Sequence, residues 1–263
     1  MRLGLIGFGG IGRIVASILR DDPDVVFVVV AARERQREEI RDLLGAVTVV
    51  TAADRLIEAR PDVVVECAGH EAFRAYAEPV LAAGIQLVAL SIGVLADREY
   101  RERVVNAAYM GGGVLEIPAG AIGGIDVLSA ARHAGLTRVT YTTRKNPETW
   151  RGTPAETMVD LDDVRTPCLF FDSNAERAAL LFKSKANVTA TIALAGVGFE
   201  ATRVQFWADP AITRSTHHVA AESRCGTVEI ELANEVASDG KSSLLAAMSV
   251  VRAIRNRMAV FRL

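Results

Sequence analysis

Cysteine is scarce in this sequence, and the three present, Cys67, Cys168 and Cys225, are widely spaced and odd in number. Neither a disulfide framework nor a CxxC metal site can be drawn from them, so no metal is expected and a reducing compartment fits best. Long apolar runs are missing too, since nothing approaches the roughly 20 residues that a membrane helix needs. The opening Met1 to Gly7 sets one Arg before an apolar stretch, but Gly4, Gly7, Gly9, Gly10 and Arg13 interrupt it as a signal sequence. A cytoplasmic protein without a membrane partner is expected. Basic excess is lacking as well. Thirty Lys and Arg stand against 32 Asp and Glu, a net charge of -2, with no stripe able to neutralise a run of phosphates, so nucleic acid is not an expected partner. No internal repeat or low-complexity segment is present. What remains is a globular composition, 50% hydrophobic and 24% charged, which excludes disorder and fibrous architectures. A chain of 263 residues can bury roughly 70–75% of its unfolded surface in one large domain or two modest ones.

The apolar run Leu3 to Ile6 leads into a glycine-rich turn and then into Ile11 to Leu19, whose apolar spacing of three and four is helical. Val25 to Ala32 is a continuous apolar run, as expected of a parallel strand covered on both faces. Strands at 46–50, 62–66, 86–90 and 114–117 then alternate with helical segments at 34–44, 52–59, 71–83 and 97–110. This rhythm predicts a doubly wound, Rossmann-type parallel sheet over residues 1–118, within an α/β protein. It changes afterwards. Gly123 to Ala134 reads as a helix, whereas Thr137 to Arg144, Thr202 to Ala208, His217 to Ala221 and Thr227 to Ala233 read as strands, giving a second α+β domain over residues 119–241 with a largely antiparallel sheet. The stretch from Ser242 to Met258, with Leu244, Leu245, Met248, Val251 and Ile254 on one face, predicts a helix within residues 242–263 that packs back on the first domain. Two prolines and a glycine make Asn146 to Pro154 the expected mobile loop.

Gly7-Phe8-Gly9-Gly10-Ile11-Gly12 matches GxGxxG between a strand and a helix, the setting in which the motif binds a dinucleotide. Gly7 permits the tight turn, Gly9 lets a pyrophosphate reach the backbone, and Gly12 allows close helix-to-strand packing. The N–H groups of the helix start, at Gly10 and Ile11, face the phosphates. The acidic residue that would bind the ribose 2′-hydroxyl of NAD is absent from the end of the second strand. Arg33 stands there instead, suited to the 2′-phosphate of NADP or else a solvated loop charge. NAD or NADP is the expected cofactor, with NADP accepted at least as well.

Beyond this domain the informative segments are Pro118-Ala119-Gly120-Ala121-Ile122-Gly123-Gly124-Ile125-Asp126, Trp150-Arg151-Gly152-Thr153-Pro154-Ala155-Glu156, Asn187-Val188-Thr189-Ala190-Thr191, Leu194-Ala195-Gly196-Val197-Gly198, and Ala208-Asp209-Pro210 leading to His217. With Leu90-Ser91-Ile92-Gly93 and the glycine turn, they resemble the L-aspartate dehydrogenase family in this order and along nearly the whole chain. The resemblance implies NAD(P)-dependent oxidation of L-aspartate to iminoaspartate, or the reverse amination of oxaloacetate by ammonia, linked to NAD biosynthesis. It also implies His217 as the active-site histidine, Ala121 and Asn187 at the cofactor, and a homodimer formed through the second sheet. The chain departs from the family pattern at Ser215, where Asn is frequent, and at Phe182-Lys183-Ser184-Lys185-Ala186-Asn187, where F-P-x-N-x-N is usual.

Hydride transfer is the cofactor's chemistry, so the protein must bind, orient and supply one group that handles protons, a role suited to histidine. Of the four histidines, His133 reads as a helix-end charge partner and His70 lies at the cofactor edge of the sheet. His217 and His218 are adjacent on a strand and point to opposite faces. Ser215, Val219 and Ala221 share the face of His217, so His218 is the more solvated of the two. Arg144, Lys145, Arg151, Lys183 and Lys185 are the cations available for two substrate carboxylates, and Asn187 can alternatively be a helix N-cap.

Other readings remain. A sugar or inositol dehydrogenase would show Glu-Lys-Pro where Leu90-Ser91-Ile92-Gly93 stands, and dihydrodipicolinate reductase would follow its histidine pair with K-x-D-A-P-S-G-T, absent here. A thioacyl mechanism would need an activated cysteine, and Cys67 reads as packing. A dehydrogenase for a related amino or hydroxy acid, or a dinucleotide-binding regulator without turnover, stays open.

Overall fold

A computed structural model describes residues 1–235 and 243–262. Residues 236–242 and 263, which include the end of the expected second domain and both ends of the expected C-terminal segment, lie outside the described residues. The chain forms two compact units. The first comprises Met1–Val94, Arg98–Gly120 and the C-terminal helix, the second Leu95–Asp97 and the segment from Ala121 through the last strand.

In the first unit, β1 (Arg2–Ile6), β2 (Val26–Ala31), β3 (Thr48–Val50), β4 (Val63–Glu66), β5 (Gln86–Ala89) and β6 (Leu115–Glu116) form one sheet in the order β3-β2-β1-β4-β5-β6. Every neighbouring pair is parallel, the doubly wound arrangement predicted from the alternation of strand and helix. Apolar side chains that alternate faces in β1, β4 and β5, such as Leu5, Ile6, Val64, Val65, Leu87 and Val88, are buried, so both sheet faces are covered. The helices are α1 (Gly10–Leu19), α2 (Arg37–Leu44), α3 (Ala53–Glu58), α4 (His70–Ala82) and α5 (Arg98–Gly111).

The second unit opens with α6 (Ile125–His133) and the ten-residue β7 (Leu136–Lys145). It continues through β8 (Cys168–Asn174), α7 (Ala175–Leu181), α8 (Asn187–Ala195), β9 (Arg203–Ala208), β10 (Ser215–Ser223) and β11 (Gly226–Asn234). Its sheet runs β11-β10-β7-β9-β8, antiparallel except for the β7–β9 pair.

The C-terminal helix α9 (Leu244–Met258) belongs to the first unit and packs against α1. Its buried side differs from the expected face. Leu244 and Leu245 are exposed, whereas Ala246, Ala247, Val250, Val251, Ala253 and Ile254 are buried. Val251 and Ile254 are thus buried as expected, and alanines take the place of the two leucines on the buried side. Ser249 Oγ also accepts the Gly120 N–H at 3.1 Å.

The stretch expected as a mobile loop is instead built of two short 3-10 turns, Pro147–Trp150 and Pro154–Thr157, capped by Asn146 and Thr153. Trp150 is fully buried and donates its indole N–H to the Trp207 carbonyl at 3.0 Å. Its ring meets Phe170 at 4.9 Å and Phe206 at 5.2 Å, and Phe182 meets Phe206 at 5.0 Å. Phe170 and Phe171 are adjacent in β8, yet both reach this cluster, because a β-bulge between Leu169 and Phe171 breaks the alternation of faces. Among the described residues no helix is long and apolar enough to cross a membrane.

Candidate active site

The glycine turn lies after β1, where the strand order reverses between β2 and β4, the place where an open parallel sheet forms a ligand crevice. Each glycine answers to a different contact. Gly7 has φ +95°, and a Cβ there would stand 2.6 Å from the Cα of Ala68. A Cβ on Gly12 would stand 2.3 Å from the Gly7 carbonyl oxygen, so α1 can approach the turn only without a side chain. A Cβ on Gly9 would meet nothing within 4 Å. Gly9 therefore serves no packing need of the chain, and its openness faces the side from which a pyrophosphate would come. Gly9 caps α1, whose first N–H groups, at Gly10 and Ile11, have no intrahelical partner.

A cleft of about 620 Å³ runs along this edge, lined by Gly7, Gly9, Arg33, Gln36, Gly69 and His70 among others. Gln36 Nε2 donates to the Phe8 carbonyl at 2.7 Å, tying the segment after β2 to the glycine turn. Arg33 is exposed on the cleft and makes no ion pair among the described residues, while nearby Arg37 and Arg13 are held by Glu34 and Glu39. This is the disposition of a guanidinium available to a 2′-phosphate.

Sequence reasoning missed Glu66, the last residue of β4, which is wholly buried. Its carboxylate accepts from Ala68 N at 2.8 Å, Gly69 N at 3.0 Å, Ser91 N at 3.0 Å and Ser91 Oγ at 2.8 Å. Burial pushes its pKa up, and the four donors oppose that. The neighbouring Cys67 thiol is raised far above its ordinary range by burial and points at the Ile6 and Gly7 carbonyls, so it packs and does not react.

In the second unit His217 and His218 take opposite faces of β10. His217 is 5% exposed. Its Nδ1 is 2.7 Å from the Tyr141 hydroxyl of β7, a partner that sequence reasoning did not name. Burial, and then the charge of Lys145, push the His217 pKa from 6.5 down to about 3, so the ring is neutral near pH 7. His218 lies on the open face, 3.8 Å from Glu229. His133 ends α6, as expected of a helix-end charge, and His70 begins α4 beside the cleft.

The sheet sorts the five candidate cations. Arg144 faces away from His217, 3.7 Å from Asp209 and over the Trp207 ring. Arg151 is held by Glu148 and Asp162, and Lys183 is exposed. Lys145 and Lys185 remain, and Lys145 shares the buried parity of β7 with Tyr141 and Thr143. Asn187 is the first residue of α8, with Ala186 rather than Asn187 at the cap position. The Ala121 carbonyl accepts from Asn234 Nδ2 at 2.7 Å.

Comparison with known proteins decides what this set of residues belongs to. Residues 126–257 match the family model described as aspartate dehydrogenase, C-terminal, and residues 7–118 match the NAD binding domain of homoserine dehydrogenase. L-aspartate dehydrogenase of Cupriavidus necator is 41% identical over 259 residues, covering 98% of this chain and 97% of that protein. The chain belongs to the L-aspartate dehydrogenase family. A further member, from Acinetobacter baylyi, is 39% identical over 263 residues, covering 100% of this chain and 99% of its own. The crystal structure of the Thermotoga maritima aspartate dehydrogenase matches with a TM-score of 0.77 and 26% identity, over 100% of this chain and 99% of that one. An archaeal homoserine dehydrogenase, at 12% identity and a TM-score of 0.62, shares the fold alone.

Two outcomes follow from this geometry. Gly9→Ala leaves the thermal midpoint unchanged but weakens NAD(P)H binding at least about tenfold, whereas Gly12→Ala lowers both stability and binding, as titration of the reduced cofactor beside thermal unfolding will show. The depressed pKa of His217 means that between about pH 6.5 and about pH 3 the unfolded chain binds a proton that the folded chain refuses. This contribution to stability is complete above pH 6.5 and is lost on acidification toward pH 3. Unfolding free energies from denaturant titration at pH 7 and pH 4.5 should differ by about 2 kcal/mol less in His217→Gln than in the wild type.

Proposed function

We propose that the protein is an NAD(P)-dependent L-aspartate dehydrogenase that interconverts L-aspartate with iminoaspartate, and so with oxaloacetate and ammonia. The observation that carries this reading is a buried, neutral histidine held by Tyr141, and the resemblance implies that this histidine is the active-site one. The resemblance links the reaction to NAD biosynthesis.

The residues present fit a dinucleotide, because Gly9 leaves open the space a side chain would fill while Gly7 and Gly12 are packed tight. Gly7, Gly9, Gly10, Ile11 and Gly12 would hold the pyrophosphate, Arg33 a 2′-phosphate, and Ala121 and Asn187 further parts of the cofactor. When bound, the nicotinamide supplies the two-electron acceptor for the hydrogen on the substrate Cα. His217 handles protons. With its own proton on Nδ1 and donated to the Tyr141 oxygen, the ring keeps the Nε2 lone pair, ready to take a proton from the substrate ammonium or from the water that hydrolyses the imine. In the reverse direction the same nitrogen returns it.

One face of the second sheet carries no burial in β11 and little in β7, leaving Thr142, Arg144, Trp207 and Thr216 at the surface of a single chain. We infer a homodimer through this face, to be checked by a solution mass near twice 28.2 kDa. Three cysteines without disulfides accord with a cytoplasmic enzyme.

The deciding experiment follows NADH and NADPH oxidation with oxaloacetate and ammonium, against pyruvate and 2-oxoglutarate. Turnover confined to oxaloacetate and dependent on ammonium is expected. Turnover without ammonium would make the protein a hydroxy-acid dehydrogenase, and silence with all three acids would favour a regulator. His217→Ala should lose about 10²- to 10⁴-fold in kcat while binding NADPH normally. Arg33→Ala should raise the KM for NADPH about tenfold and leave that for NADH unchanged; a strong wild-type preference for NADH would refute the role of Arg33.

A further inference from the structure

Only four of the 30 basic residues are lysines, and one of them, Lys145, ends β7 on the buried side of the sheet. Its Nζ lies 3.5 Å from Ser215 Oγ, the outer limit of a hydrogen bond, and 5.9 Å from the centroid of the Trp150 ring. Its backbone carbonyl accepts the Asp209 N–H at 2.9 Å, but the Asp209 carboxylate is turned to Arg144 and to the Ala211 N–H. No carboxylate pairs with Lys145 or Lys185 among the described residues. The titratable groups coupled to this ammonium are Lys185, from the 3-10 turn between α7 and α8, and His217 of β10, whose own partner is Tyr141 of β7. This half-buried ammonium, with a hydroxyl, an aromatic face and a second ammonium for company, is electrostatically incomplete, since a charge withdrawn from water ordinarily finds a counter-charge.

His217 pairs with Thr143 across the β7–β10 ladder, so Lys145, two residues further along β7, is its diagonal neighbour on the same face. The missing anion therefore belongs beside the histidine. We propose that Lys145 is the anchor for a carboxylate of the substrate, with Lys185 adding to its field, an inference that rests on the reading of the protein as an aspartate dehydrogenase. Binding would do two things at once. It would complete the half-buried ammonium, and it would offset the positive charge that helps keep His217 from accepting a proton, so the histidine gains basicity when substrate is present.

The test compares wild type with Lys145→Met, Lys145→Gln and Lys145→Arg. Burial and Lys185 hold the Lys145 pKa down to about 8 in the free protein, and the protonated form is the one that binds. Wild-type kcat/KM for L-aspartate should fall above about pH 8. In Lys145→Met and Lys145→Gln the KM for aspartate should rise about 10- to 100-fold, that high-pH fall should vanish, and the KM for NADPH should not move. Lys145→Arg should restore part of the affinity and carry the fall to higher pH. Removing this uncompensated, half-buried charge should leave the Tm of the free protein unchanged or raise it, whereas removing a purely structural lysine would lower it.

Calorimetric titration with succinate in the presence of NADP tests carboxylate binding without turnover. Binding to wild type and its loss in Lys145→Met support the proposal even if aspartate is not a substrate. Unchanged aspartate KM and succinate affinity in folded Lys145→Met and Lys145→Gln overturn the Lys145 role and leave the aspartate reading standing. A wild type that neither turns over aspartate nor binds succinate overturns both.

Discussion

A carboxylate with no exposed surface holds the cofactor edge of the first unit together. Glu66 ends β4, and its two oxygens take N–H groups from the turn into α4 and both the N–H and the hydroxyl of Ser91 beyond β5. A buried carboxylate is tolerated where donors surround it, and here the donors belong to two connections that would otherwise be independent of each other. The position of Ala68 follows from this. Gly7 is packed so closely on Ala68 that not even a methyl group fits between them, so the shape of the glycine turn depends on the turn between β4 and α4. The dinucleotide motif is thus half of a device whose other half is Glu66.

In the second unit the organising constraint is parity along strands. Tyr141, Thr143 and Lys145 on β7 and His217, Val219 and Ala221 on β10 face one side, and the pairing of His217 with Thr143 fixes how they meet. The aromatic cluster of Trp150, Phe182 and Phe206 fills the same unit beside β9 and β8. Burial of Trp150 draws the 3-10 turns after β7 into place, and the first of them begins two residues past Lys145. The lysine is accordingly set by tertiary packing at both its ends, which is what a binding group on a rigid element requires.

The first unit was legible in the sequence because parallel strands covered on both faces appear as continuous apolar runs, and because each glycine of the turn answers a steric demand that can be stated beforehand. The second was harder. β8 escaped notice because its bulge puts Phe170 and Phe171 together and so destroys the period-2 signal. The face of α9 was legible at Val251 and Ile254 but not at Leu244 and Leu245, which are exposed while Ala246 and Ala247 are buried, because leucines were weighed above alanines. His217 could be told from His218 by the residues flanking each. Tyr141 and Glu66 could not be found, since their roles arise from β7–β10 register and from the approach of β4 to β5. Lys145 stood among five cations, and the expected strand ended one residue short of it, at Arg144.

Glu66 and Lys145 show two ways for a fold to carry a buried charge. Glu66 is surrounded by donors supplied by its own chain, so nothing further is needed, and its role is to fix backbone. Lys145 has only a distant hydroxyl and an aromatic ring, and the charge that acts on it is that of another lysine. The first arrangement is complete in the absence of any ligand. The second raises the free energy of the unliganded protein by an amount that an arriving carboxylate would remove, so part of the interaction with a carboxylate is set aside during folding. Burial that neutralises His217 follows the same logic, because a histidine kept uncharged by a dry site and a nearby cation is the one whose proton affinity changes most when an anion enters.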